Sequence, residues 1–173
     1  MGGRGGHSHR MTSGRGASAI DRLTSITQLN SWLRNQDWFR PGSYISLNGV
    51  DLEAACGIAK AYQQVFERYP QLKGFFSGVK SFDLGSGTYA DCNLATGQIR
   101  VSNTMYRRLQ ELERSYARDI RANWHPAGTD WAAILTHEIG HAIDGYITQH
   151  SEGGLFFHDW HRNSSELQAK IAD

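Results

Sequence analysis

A chain of 173 residues, 39% apolar and 11% aromatic, is long enough to bury one hydrophobic core and too apolar to be disordered throughout. Its 18 basic and 17 acidic residues leave a formal charge of +1, which supplies no general attraction to nucleic acid or to an anionic membrane. Two cysteines, Cys56 and Cys92, are too few for a disulfide-scaffolded mini-domain, and whether they pair is left open by the sequence.

Residues 1–19, MGGRGGHSHRMTSGRGASA, read as a flexible Gly/Arg/Ser-rich arm or the linker of a larger parent polypeptide. His7 and His9 make only a weak metal site there, and Arg4, Arg10 and Arg15 read as solvated linker charge, so no specific nucleic-acid partner is expected. An amphipathic helix is expected from Ile20 to Trp32, followed by a turn at Pro41-Gly42. Asp51 is placed to cap a long helix ending near Arg68, with Ala55, Ala59, Tyr62 and Phe66 on its apolar stripe and Pro70 closing it. GVKSFDL, GTYADCNL and GQIRVSN, between Gly74 and Asn103, read as short strands of a small, mostly antiparallel sheet. Helix resumes over Thr104–Arg121, breaks at NWHPAGTD, and starts again behind Thr129 or Asp130 to run through Tyr146. The order predicts one α+β domain over residues 20–173. No run of about eighteen apolar residues and no signal-like hydrophobic N-terminus are present, so no membrane span or standard secretory leader is expected.

The last helix carries THEIGHA, residues 136–142. His137 and His141 are one helical turn apart and can share a face, where two neutral imidazoles suit a zinc ion. Glu138, rotated round the helix, is placed to take a proton from metal-bound water. Asp144 can orient an imidazole through its second nitrogen, and surface solvation explains it nearly as well. His125, just before the cap loop, can approach a substrate, and His125 or Tyr146 can donate to an oxyanion. Gly140 costs the helix about 1 kcal/mol relative to alanine, a cost that a close helix crossing would explain. A structural metal site and metal-free packing stand as alternatives to catalysis.

On His137, Glu138 and His141 the chain resembles the zincin metallopeptidases, and WHPAGTDWAAILTHEIGHAID is similar to metallopeptidase-like domains of phages, prophages and bacterial toxins. That resemblance implies a zincin-like fold with zinc as cofactor, His137 and His141 as ligands and Glu138 as general base. It also makes QIRVSN an edge-strand ladder for a peptide substrate, with Ile99 and Val101 as substrate-binding candidates. A metzincin would carry glycine at 144 and histidine at 147, where this chain has Asp144 and Ile147. The gluzincin arrangement is left, with Glu166 the third ligand from a short terminal helix; Glu152, His150, His158, Asp159 and His161 are weaker candidates. If the domain is C-terminally truncated, the ligand glutamate would instead lie beyond residue 173.

The expected activity is therefore zinc-dependent hydrolysis of peptide bonds in a peptide or protein substrate, with phage association or export by a non-signal-peptide route compatible with the resemblance. The alternative is a noncatalytic, zincin-like protein-interaction domain or an inactive fragment.

Overall fold

The stretch expected to form one helix from residue 20 to 32 divides in two. Leu23 turns extended (φ −78°, ψ 131°) after a 3-10 turn at Ile20–Arg22. Ser25 then starts α1 (Ile26–Arg34), accepting from the Gln28 amide at 3.3 Å, while Gln28 Oε1 accepts from the Thr24 amide at 2.8 Å. Reciprocal capping of this kind satisfies amide donors that the first helical turn leaves orphaned. A second cap begins α2 (Leu52–Arg68), where Asp51 Oδ1 accepts from the amides of Glu53 and Ala54. Proline-led 3-10 geometry at Pro70–Leu72 ends that run.

A computed structural model describes residues 18–150, with side chains through Thr148. Residues 1–17 and 151–173 lie outside the described residues, as does the His150 side chain; so do Glu166 and the candidates Glu152, His158, Asp159 and His161.

β1 (Val79–Phe82), β2 (Ala90–Asn93) and β3 (Gln98–Ser102) form a three-stranded sheet in the order β1-β3-β2. β1 runs parallel to β3, pairing Val79 with Ile99, and β2 runs antiparallel to it, pairing Cys92 with Ile99. The sheet is thus mixed rather than mostly antiparallel. The outer side of β1 is met by the segment around Ser46, whose amide donates to the Val79 carbonyl at 3.0 Å and whose carbonyl accepts from Ser81 at 2.7 Å. No described segment covers the outer side of β2 in this way.

α3 (Leu109–Arg121) starts later than the periodicity indicates, because residues 103–106 form turns. It stops in a Schellman arrangement: the Asn123 amide donates to the Ile120 carbonyl at 3.0 Å and the Trp124 amide to the Asp119 carbonyl at 2.9 Å. Asn123 takes the required left-handed conformation at φ 60°. α4 (Ala132–His150) follows, its first turn held by Asp130 Oδ1, which accepts from the Ala132 amide at 2.9 Å.

α2 and α4 pack against each other, and α4 also covers β2 and β3. Ile58, Ala59 and Tyr62 of α2, Leu135 and Ile139 of α4, and Ile99 and Val101 of β3 are all buried in the resulting core. An aromatic group extends it: Trp38 stacks on Phe66 at 5.5 Å, and Phe76 meets Phe66 edge-on at the same separation. Truncating a ring so placed typically costs about 3–5 kcal/mol, so this cluster is a principal source of stability. Two glycines allow a helix to approach its surroundings closely. A Cβ on Gly57 would lie 2.4 Å from the Trp131 ring, and one on Gly145 would lie 2.5 Å from the Leu94 carbonyl oxygen. Gly140, expected to mark the close crossing, has nothing within 4 Å of its Cβ position.

Candidate functional site

The first half of α4, the loop after α3 and the start of β2 enclose an open groove of about 670 Å³. Its walls follow from local structure. The Schellman stop turns the chain at Asn123 and leaves the next residue, Trp124, 79% exposed at the groove's rim. His125 then stacks on Tyr116, with centroids 4.4 Å apart and planes 18° apart. Tyr116 is fixed in turn through its hydroxyl, which meets Thr129 Oγ1 at 2.8 Å while Thr129 donates to the Pro126 carbonyl at 2.7 Å. On the strand side, the Tyr89 hydroxyl donates to Asp119 Oδ2 at 2.6 Å and meets Ser115 Oγ at 2.8 Å.

The floor is α4. His137 is exposed, His141 half-buried and Glu138 only 9% exposed. Burial, followed by the nearby charge of Asp91, pushes the Glu138 carboxyl up to about 7. Among the described residues it has no hydrogen-bond or ion-pair partner. Its charge bears on Cys92, whose thiol is pushed up to about 12, first by its own burial and then by Glu138 and Asp91. Cys56 is also free, its thiol raised by burial.

His137 and His141 do lie side by side, with ring centroids 4.3 Å apart and planes 79° apart. Their Nε2 atoms are 2.9 Å apart, the separation of a ring-to-ring hydrogen bond. Two imidazole nitrogens bound tetrahedrally to one zinc at about 2.0–2.1 Å would be separated by roughly 3.3 Å, and both would need their lone pairs aimed at the ion. In an N–H···N bond one nitrogen carries the proton and the other spends its lone pair on it. Asp144 lies near enough for its charge to act on His141, and burial raises its carboxyl.

Several sequence expectations are relocated. Ile99 and Val101 sit in the central strand with side chains fully buried, so they cannot form the exposed peptide ladder that an edge position would allow. That edge belongs to β2. The Ser102 amide donates to the Tyr89 carbonyl at 2.8 Å, and the pairing alternates from there. Tyr89, Asp91 and Asn93 therefore turn their backbone groups toward β3, and Ala90 and Cys92 turn theirs outward. No described residue bonds to those outward groups. His125 does line the groove, whereas Tyr146 packs on Phe75 at 4.5 Å and Tyr106 is 1% exposed in the core. Sequence reasoning overlooked Trp124, Tyr89 and the edge of β2. The lone tryptophan between a helix-stopping asparagine and Pro126 was the available signal for the first of these.

No family model, no curated protein and no solved structure matches the chain. Among the described residues, no group of three or more His, Cys, Asp or Glu side chains comes together in a way that could hold a metal ion. These findings overturn the resemblance to zincin, gluzincin-like and phage- or toxin-associated metallopeptidase domains. With it go zinc as cofactor and zinc-dependent peptide hydrolysis by His137, Glu138 and His141. A motif of three constrained residues in seven arises on an ordinary helix, and here it marks a buried carboxyl beside a hydrogen-bonded imidazole pair. No described helix is long and apolar enough to cross a membrane.

Proposed function

We propose that the domain is a noncatalytic protein-interaction module that takes up an extended segment of a partner polypeptide along the outer edge of β2. The observation that carries this reading is the outward-turned backbone of Ala90 and Cys92, of which Ala90 lines the groove. An added strand gains main-chain hydrogen bonds from such an edge, and its alternate side chains reach whatever hollows lie below. The edge of β1 is already met by Ser46, so β2 is the side left for a partner. A four-residue edge strand is short enough to avoid indiscriminate sheet pairing while still registering a peptide.

The groove chemistry supports binding in preference to turnover. The two imidazoles bond to each other, and the Tyr89 and Tyr116 rings that line the groove are anchored through their hydroxyls. The test is binding of the full chain to random-sequence decapeptides, followed by N-methylation of single amides in those that bind. Strand addition requires that methylating alternate amides abolishes binding and methylating the others does not. Uniform tolerance of methylation overturns it.

A further inference from the structure

Trp124 and Glu138 line one groove, and neither has its chemistry satisfied by the fold. The residue after a Schellman stop usually packs back on the last helical turn; Trp124 occupies that position and is 79% exposed. Its backbone is fixed by the Asp119 carbonyl, so the indole is presented from a fixed attachment point. Glu138 is more than nine-tenths buried, lines the same groove, and lacks any cation among the described residues. Asp91, the neighbouring acid, is already clamped by Arg100, whose Nε donates to Oδ1 at 2.7 Å while Nη2 reaches Oδ2. The guanidinium of Arg118 lines the adjoining hollow and donates to Ser115 Oγ at 3.3 Å. A buried acid in a groove also lined by aromatic side chains attracts a positive charge carried on an apolar stem: the stem covers the rings, a cation over an indole gains from its quadrupole, and the charge meets the carboxylate.

We infer that the groove selects a basic side chain, lysine or arginine, from the bound polypeptide, with Trp124 and Tyr89 covering its stem and Glu138 receiving its charge. This rests on the strand-addition reading, because the added strand is what carries the side chain to the groove. Ala90 lines the groove, so the residue paired opposite it is the one whose side chain would enter the groove.

The test uses the full chain and the same random-sequence decapeptides. Bound peptides should be enriched in lysine or arginine at one position, and replacing that residue by glutamine should weaken binding about tenfold. Trp124→Ala should weaken the basic peptides about fivefold and leave their glutamine forms nearly unchanged. Glu138→Gln should likewise erase the preference for the basic form. Because Trp124 is on the surface, its loss leaves the fold intact and the comparison interpretable. Peptides that bind without any basic preference overturn the selection while leaving strand addition standing. Failure of every peptide to bind overturns strand addition, and the selection with it.

Discussion

His137 Nε2 and His141 Nε2 stand 2.9 Å apart across one turn of α4, close enough to share a proton. Burial, then the neighbouring His137, lowers the His141 pKa, because an imidazolium there would be poorly solvated and would face a second ring. Nuclear magnetic resonance of the imidazole nitrogens should show His141 titrating below the ordinary histidine range and one ring proton exchanging slowly. Ordinary titration with rapid exchange would show that the rings are not bonded.

Two glycines of the same helix should respond oppositely to alanine. Gly145→Ala drives a Cβ to within 2.5 Å of the Leu94 carbonyl oxygen, a backbone atom that can yield only by moving the turn after β2. A loss of about 1–3 kcal/mol is expected by chemical denaturation. Gly140→Ala meets open space and removes a helix-propensity penalty, so it should gain up to about 1 kcal/mol. Equal responses would mean that α4 does not lie against that turn.

A second opposed pair separates buried hydroxyls. The Tyr62 hydroxyl is fully buried and finds no hydrogen-bond partner among the described residues, whereas that of Tyr89 holds Asp119 and Ser115. Tyr62→Phe should leave stability unchanged or raise it by about 1 kcal/mol, while Tyr89→Phe should cost about 1–3 kcal/mol. Thermal unfolding of both variants checks the contrast.

Glu138 should make stability fall as pH rises. Its folded pKa of about 7 lies above the ordinary 4.5, so between those values the folded state binds the proton more tightly than the unfolded state. The protein then loses stability on going from pH 4.5 through 7, where the buried carboxyl must ionise. Glu138→Gln removes that loss, and its stability relative to the parent should be greater at pH 8 than at pH 5. A pH-independent difference would place the carboxyl in water.

Much of the architecture was legible because it depends on local signals. Asp51 before an apolar stripe, Asp130 before the last helix, and glycine-bounded runs containing Val79, Cys92 and Ile99 are short-range patterns. Strand order was not legible, since β1 pairs in parallel with β3 across the whole of β2, and nothing local distinguishes a central QIRVS from an edge. Reading it as an edge misplaced Ile99 and Val101. The histidine motif misled for a related reason: spacing puts two rings on one face but does not supply the further ligands that a metal requires, and no described residue joins them. Gly140 and Gly145 look alike in sequence, and only the position of Leu94 tells them apart. Trp124 was overlooked because an exposed aromatic is defined by what fails to cover it.

The central claim is that the groove beside β2 holds a polypeptide without cutting it. Incubating the full chain with random-sequence decapeptides, then weighing both the retained and the unbound peptides by mass spectrometry, addresses this directly. The account predicts peptides retained at their intact mass and no accumulation of fragments on prolonged incubation, with or without added zinc. Fragments that appear with the parent chain and disappear with Glu138→Gln would contradict it.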